Sequence, residues 1–382
     1  MKMKNTALLV GPYDWDPALL PLAEFEARLE AVRRVLAEWG VTALLVHGHS
    51  VEHGALAYLT GFTPKLGPAF ALVPREGPLR ILASGGAGMM SSAKLLTWVK
   101  DVRPINDLRN SVGEWLAEAS EEGHAALGLW GSNVMARRPY QAVSAAIQPS
   151  GQMIELDDAL DALRRRKSPR ELQLLREACR TLAAARNAFE RALKDGAGAR
   201  SAALAAERAA YANGAQDVRM LTSARDGGPP APFDGSDDAC VSPLLACLAA
   251  RFAGYWAAGL VTIAATQDGA LAHAQAGLAA MLREARPGVT CDDLLRAAAQ
   301  HLTPYQLHPW LESAWGDGIG LSLEEVPMLG RDKHPKLEEG GIYTLRCGAL
   351  GDGSDNAVVS AMVSVSQTGS DILWSGAEQA AS

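Results

Sequence analysis

The sequence predicts an α/β domain over residues 1–155, followed by an α+β domain over residues 156–382. The first 150 residues alternate helical and strand patterns, which is typical of α/β domains. Later residues group into helices, two apolar strands, two more helices, and then strands and glycine-rich turns to the end. Runs of helices and runs of strands within one segment indicate an α+β architecture.

The elements of the first domain follow from periodicity. Apolar residues at helical spacing over residues 22–39 predict a helix that ends at Gly40, and residues 41–47 predict the strand after it. Further strands are predicted at residues 69–73 and 79–83, and further helices at 105–119 and 136–147. The glycine-rich segment 85–88 lacks the spacing of phosphate-binding loops, so we interpret it as a turn.

The second domain starts after a basic run at residues 164–167. Ser168 followed by Pro169 and Glu171 is a capping-box pattern. It predicts a helix that continues to about residue 194. The basic run is therefore interpreted as the end of one helix and the start of another, and not as a binding patch.

Residues 241–266 are almost wholly apolar, but they contain Pro243, a central Arg251 and a turn-like Ala-Gly pair at 253–254. A charge at mid-membrane depth costs about 2.5–3.5 kcal/mol. We therefore predict two buried strands, at 244–251 and 255–264, and no membrane span. Helices are expected at about 268–286 and 290–302.

Composition and charge exclude several functions. The 36 Lys and Arg against 43 Asp and Glu give a formal net charge of −7, so nucleic acid is not a predicted partner. Five cysteines without CxxC spacing indicate neither a disulfide framework nor a zinc knuckle. Too few apolar residues precede Pro12 for a secretory segment. These observations predict a cytoplasmic protein.

Six short motifs occur in one order along the chain. They are Tyr58-Leu59-Thr60-Gly61-Phe62, Lys167-Ser168-Pro169-Arg170-Glu171-Leu172, Gly254-Tyr255, Arg286-Pro287-Gly288-Val289-Thr290, Gly316-Asp317-Gly318-Ile319-Gly320-Leu321 and Glu325-Val326-Pro327. The order is far more specific than any single motif. Over about residues 20–375 the chain resembles the creatinase, aminopeptidase P and prolidase family of two-domain proteins.

The resemblance implies a small α/β N-terminal domain and a C-terminal domain with the pita-bread fold, a curved antiparallel sheet flanked by helices. It also implies a homodimer. Most members of the family hold two divalent metal ions with two Asp, one His and two Glu. The positions of this chain that match those ligands are Cys247, Ala258, Asp317, Arg346 and Ser360.

These five residues predict no dimetal centre. The charges of Asp317 and Arg346 cancel, and the other three residues are neutral. A guanidinium repels a cation, and hard-cation and zinc sites need several oxygen or imidazole ligands. We therefore expect no metal and no other cofactor, and no peptidase reaction through a metal-bound water.

The second catalytic motif of the family is also altered. Glu324 stands where the family has a His, while Glu325 and Pro327 are retained, and residues 218–240 contain no histidine. If the fold is kept, Glu325, Asp317 and Arg346 converge on one pocket. In one interpretation Arg346 only neutralises the buried acids. In the other, Glu325 is a general acid/base tuned by Arg346, and Asp317 orients the substrate.

Four further residues are predicted to contact a small-molecule substrate or ligand, namely Tyr343, Glu324, Cys247 and Trp256. Cys247 has no histidine placed beside it by any motif, so a small buried residue is favoured over a nucleophile. His47, His49 and His53 lie close to one another in the sequence. They suggest a substrate or partner contact more than a metal cluster.

Two classes of function stay open. The first is a metal-independent enzyme that acts on a small amide, amidine or amino-acid-derived substrate by acid/base chemistry. The second is a pseudopeptidase that has lost the reaction and serves as a binding or partner subunit. Fold alone does not decide between them.

Overall fold

The computed structural model describes residues 15–119, 126–147, 151–223, 230–232, 242–264, 266–311, 315–330, 335–352 and 355–377. The chain divides into two compact units, Met1–Arg164 and Arg165–Ser382. The histidine-free segment 218–240 lies outside the described residues except for 218–223 and 230–232. Among the helices described, none is long and apolar enough to cross a membrane.

The first unit is a mixed six-stranded sheet with helices. Its helices are α1 (Leu22–Glu38), α2 (Gly54–Thr60), α3 (Met90–Ala93), α4 (Leu108–Ala119), α5 (Arg137–Ile147) and α6 (Asp157–Arg165). Its strands are β1 (Ala43–Gly48), β2 (Ala69–Pro74), β3 (Arg80–Ala83), β4 (Asp101–Pro104), β5 (Ala126–Trp130) and β6 (Gln152–Glu155), in the order β4-β3-β2-β1-β5-β6. Strand β1 pairs antiparallel with β2 and parallel with β5, and it is buried along its whole length.

Several elements of this unit differ from the sequence prediction, which did not include β4, β5, β6 or α3. Helix α4 begins at Leu108 and not at residue 105, because the Asp107 carboxylate accepts a hydrogen bond from the Asn110 N–H and caps the helix there. Helix α2 was not predicted, since seven residues are too few to show a helical period. It ends at Gly61, whose φ of 69° is left-handed, a conformation that glycine adopts without strain.

His47 gives the first unit a measurable dependence on pH. Its ring is buried on β1, 5.2 Å from the ring of Phe70, and its Nδ1 lies 3.2 Å from the carbonyl oxygen of Gly131. Burial lowers the pKa of His47 to about 4 from an ordinary 6.5. Between these two values the unfolded chain takes up a proton that the folded chain does not, so we expect stability to fall as the pH is lowered from about 6.5 to 4.

The measurement is a titration of imidazole C–H chemical shifts, with the His47 signal assigned by its loss in His47→Asn. A midpoint near pH 4 is expected, and a midpoint near 6.5 would contradict the burial of this ring.

The described residues of the second unit form two antiparallel sheets and four α-helices. The helices are α7 (Pro169–Lys194), α8 (Ala199–Ala212), α9 (Gly269–Glu284) and α10 (Cys291–Leu302). The strands are β7 (Asp217–Ser223), β8 (Pro230–Ala231), β9 (Leu244–Phe252), β10 (Tyr255–Ile263), β11 (Gln306–Leu307), β12 (Gly316–Gly318), β13 (Glu325–Leu329), β14 (Ile342–Leu350), β15 (Asn356–Ser366) and β16 (Gly369–Ser375). One sheet has the order β10-β9-β7-β8, and the other has the order β13-β12-β14-β15-β16 with β11 added beside β14.

Local chemistry sets the ends of these elements as the sequence predicts. Helix α7 starts with a complete capping box at Ser168 and Glu171, and α10 starts with one at Thr290 and Asp293. The apolar stretch forms the hairpin of β9 and β10, and Ala253 and Gly254 both have positive φ at its turn. Helix α7 packs on β9 and β10, while α9 packs on β14 and β15.

Side-chain hydroxyls join the two sheets where β10 lies beside β15. The Thr262 hydroxyl donates to the Val358 carbonyl at 2.8 Å and accepts from the Val358 N–H at 2.9 Å. The Leu260 N–H donates to the Ser360 hydroxyl at 2.7 Å. These contacts hold the four-stranded sheet against β15, and they leave a cavity between β9, β10 and β14.

Candidate functional site

The site is centred on the pairing of β12 with β14. Asp317 lies on β12 opposite Thr344 of β14, and Arg346 follows two residues along the same strand. Because side chains alternate across a strand, Thr344 and Arg346 share one face. The register therefore brings both side chains to the Asp317 carboxylate.

Arg346 forms an ion pair with Asp317, one of the two buried acids, Asp317 and Glu325, that it was predicted to neutralise. The Arg346 Nη2 lies 2.5 Å from the Asp317 Oδ2, and the Thr344 hydroxyl donates to the Oδ1 of the same carboxylate. The Asp317 side chain is 0% exposed, whereas that of Arg346 is 18% exposed. Burial raises the pKa of the Asp317 carboxyl, and the Arg346 guanidinium and the Thr344 hydroxyl oppose that rise.

A cavity of about 360 Å³ opens beside this pair. Its walls are apolar apart from Cys247, Thr344 and Arg346, and the residues that line it are Leu221, Pro230, Cys247, Ala258, Gly259, Leu260, Leu311, Thr344, Arg346 and Val358. Asp317 accepts one hydrogen bond from the guanidinium, at Nη2, and within the described chain the Arg346 side chain has no further hydrogen-bond acceptor. A guanidinium has five N–H donors in a planar fork, so Arg346 presents free donors to an apolar space.

Cys247 lines the cavity as a protonated thiol. Burial raises the pKa of its thiol, and the nearby Glu324 and Asp317 carboxylates raise it further, while Arg346 acts in the opposite direction. A thiol is a poor nucleophile until it is deprotonated. The geometry therefore supports the interpretation of Cys247 as a small lining residue.

Glu325 forms a different ion pair, with a residue that the sequence analysis did not select. Lys167 Nζ lies 2.6 Å from the Glu325 Oε2, and the two side chains are only 3% and 6% exposed. The Ser322 N–H donates to the other oxygen of the same carboxylate at 3.1 Å. Glu325 does not line the cavity, so the structure brings Asp317 and Arg346 into contact but not Glu325 with either.

The other residues that the sequence predicted to contact a ligand have separate environments. Tyr343 is buried on the opposite face of β14 from Arg346, within the core under α9 and α10, and its hydroxyl accepts from the Glu338 N–H at 3.0 Å. Burial raises the pKa of Tyr343 to about 12. Glu324 is exposed, and Trp256 is buried beneath Arg219 and Arg251.

Two family models match the chain. The creatinase/prolidase N-terminal domain matches residues 28–166, and metallopeptidase family M24 matches residues 173–367. The chain belongs to metallopeptidase family M24. Among curated proteins, none matches the sequence significantly.

Solved structures of the family share the fold. The prolidase from Pyrococcus horikoshii OT3 is 17% identical with a TM-score of 0.74, covering 91% of this chain and 97% of its own. The X-Pro aminopeptidase from Thermotoga maritima MSB8 is 18% identical with a TM-score of 0.75 and the same coverage of 91% and 97%. The Xaa-Pro dipeptidase from Bacillus anthracis is 19% identical, with a TM-score of 0.71 and again 91% and 97% coverage. The C-terminal unit therefore has the pita-bread fold that the resemblance implied.

The residues that the resemblance places at the ligand positions of the family do not fit a pair of divalent ions. Cys247, Ala258 and Arg346 line the cavity together. Asp317 is engaged by Arg346, and the Ser360 hydroxyl is engaged by the backbone of Leu260. Throughout the ranges that the structure describes, no group of three or more His, Cys, Asp or Glu could hold a metal ion. A guanidinium in this place opposes a cation.

Proposed function

We propose that this member of family M24 is a binding protein rather than a peptidase. Its cavity would hold a small, mostly apolar molecule through one carbonyl or carboxylate oxygen. The observation that carries the proposal is that Arg346 lines a mostly apolar cavity and has guanidinium N–H donors that Asp317 does not use. Charged donors in apolar surroundings form strong hydrogen bonds, so an oxygen acceptor is the complementary group.

The engagement of the buried acids favours binding over catalysis. A general acid or base must come within hydrogen-bond reach of the proton that it transfers. Asp317 is held by Arg346 and Thr344, and Glu325 is held by Lys167. In the described chain no Asp, Glu or His lines the cavity.

The cavity also narrows the class of ligand. A volume of about 360 Å³ lies at the lower end of small-molecule sites. The guanidinium of Arg346 repels amidines and other cations, but it donates hydrogen bonds to the oxygen atoms of amides and of amino-acid-derived carboxylates. Of the ligands that the sequence left open, amides and carboxylates therefore suit this site and amidines do not.

Metal-independent acid/base catalysis is the second candidate. The observation that favours it is the buried contact of 2.6 Å between Lys167 and Glu325, within the motif where the family places catalytic residues. Burial and a neighbouring charge are the usual means of tuning a catalytic group. Conversion of any amide that binds the cavity would support this candidate over the first.

The test is calorimetric binding of octanoate, octanamide and benzamidine to the full chain. We expect octanoate and octanamide to bind and benzamidine not to bind. The double variant Arg346→Gln/Asp317→Asn keeps a neutral hydrogen-bonded pair, and it should weaken octanoate at least tenfold. The control Arg296→Gln removes an exposed surface charge and should bind as the parent does. Absence of binding, or equal binding by the double variant, would overturn the proposal.

The proposal includes a homodimer that needs no resident metal or other cofactor. Light scattering gives the mass in solution, and elemental analysis gives the metal content. Stoichiometric metal retained after dialysis, together with cleavage of an Xaa-Pro peptide, would replace the binding proposal with a peptidase.

A further inference from the structure

A cationic cluster lies next to the cavity on the same sheet face. In the register of β7, β9 and β10, Ala258 shares a rung with Ala249 and Arg219, and Trp256 shares the next rung on that face with Arg251. Residues two apart on a strand point the same way and lie about 7 Å apart. Because Ala258 lines the cavity, Arg219 lies on the rung at the edge of the cavity, and Arg251 and Trp256 lie one rung beyond it. We call these three residues the Arg–Trp cluster.

The indole of Trp256 lies against both guanidinium groups. The Cζ atom of Arg219 lies 4.6 Å from the ring centroid, and that of Arg251 lies 5.3 Å from it. Trp256 and Arg251 are buried, while the Arg219 side chain is 44% exposed. A guanidinium stacked on an aromatic face loses little freedom on binding and keeps its N–H edges available.

Asp217 is the acid that contacts the cluster within the described residues. Its carboxylate lies 3.8 Å from Arg219 and 3.9 Å from Arg251, which is too far for hydrogen bonds. Within the described residues, the Arg219 side chain has no hydrogen-bond acceptor. An oriented cation with free donors is a recognition element for a carboxylate.

We propose that the Arg–Trp cluster binds a second anionic group of the molecule held by Arg346. This inference rests on the proposed function and gives the class of ligand, a dicarboxylate whose two acceptor ends are joined by an apolar chain. Arg346 binds one end and the apolar walls contact the chain. Arg219 binds the other end, and Trp256 is a positioning residue that holds Arg219 in place.

The experiment compares dicarboxylates with monocarboxylates of equal chain length on the full chain. The probes are adipate, suberate and sebacate against hexanoate, octanoate and decanoate, measured by calorimetry at low and high salt. We expect at least one dicarboxylate to bind at least tenfold more tightly than its monocarboxylate. We also expect that advantage to shrink as salt is raised, since Arg219 is exposed.

Three variants test whether the Arg–Trp cluster causes the tighter binding of the dicarboxylate. Arg219→Gln should bring the dicarboxylate down to the affinity of the monocarboxylate and leave the monocarboxylate unchanged. Trp256→Phe keeps a smaller aromatic face and should keep part of the advantage. The control Arg283→Gln removes an exposed charge of equal size from α9 and should retain all of it.

The outcomes separate this inference from the proposed function. Equal affinity for mono- and dicarboxylates overturns the second anionic site while the binding proposal stands. An advantage that survives Arg219→Gln also overturns it. Failure of both kinds of probe to bind overturns the proposed function itself.

Discussion

Replacing Arg346 by methionine is expected to lower the free energy of unfolding of the second unit by about 3–5 kcal/mol at neutral pH. The change leaves the Asp317 carboxylate, which is 0% exposed, without its counter-ion. Removal of one partner of a buried pair is costly because the remaining charge loses both its hydration and its neighbour.

The deficit of Arg346→Met should decrease as the pH is lowered. Burial raises the pKa of the Asp317 carboxyl, and the variant lacks the guanidinium that opposes this rise. When folding raises the pKa of a carboxyl, the folded protein loses stability as the pH rises through the folded-state pKa. Acidic conditions therefore reduce the cost of removing Arg346.

Hydrogen exchange of peptides from β12 and β14 is the appropriate measurement, because a chain of two units does not unfold in a single two-state step. Arg296→Met removes an exposed surface pair with Asp293. It should change the free energy of opening, measured by hydrogen exchange, by less than about 0.5 kcal/mol. Unchanged exchange in Arg346→Met would show that the pair contributes no stability.

The second large effect is expected at Lys167. Lys167→Met removes the 2.6 Å contact of the Lys167 ammonium with the buried Glu325 carboxylate, and we expect a loss of about 3–5 kcal/mol in the free energy of unfolding. The adjacent Arg166 is a matched control, since its side chain is 70% exposed and its ion-pair contact with Glu339 is 3.9 Å long. Arg166→Met should cost less than about 1 kcal/mol.

A double variant separates pairing from packing at the same place. Lys167→Met/Glu325→Leu removes both charges and should recover much of the loss, because apolar residues of similar size often replace a buried pair without cost. Hydrogen exchange of peptides from β13 gives the local stability of the single and the double variant. A double variant that is no more stable than Lys167→Met would contradict the electrostatic explanation of the loss.

Local signals predicted much of the fold. The capping residues Ser168 and Glu171 determine where α7 begins, and the Ala-Gly turn at 253–254 determines where the hairpin of β9 and β10 reverses. Such boundaries depend on hydrogen bonds and backbone dihedrals within a few residues. They are therefore visible in the sequence without knowledge of the rest of the chain.

The site was predictable only in part. The pairing of Arg346 with Asp317 followed from two charged replacements at positions that the family resemblance brings together. The partner of Glu325 is 158 residues away in the sequence, and Lys167 belongs to a basic run that the helix boundary already explained. No periodicity links the two residues, so only the folded chain reveals the contact.

One error of interpretation was avoidable from strand geometry. Tyr343 and Arg346 are separated by an odd number of positions on β14, and an odd separation places side chains on opposite faces. The tyrosine therefore could not share the cavity with the arginine once both were assigned to one regular strand. Thr344, which was not selected, has the parity that the site requires.

The hydroxyl contacts between β10 and β15 bear on how the second unit folds. Thr262 and Ser360 join the two sheets through groups that the chain itself carries. Such hydrogen bonds form when the strands that carry them meet. Closure of this joint is therefore a step of chain folding.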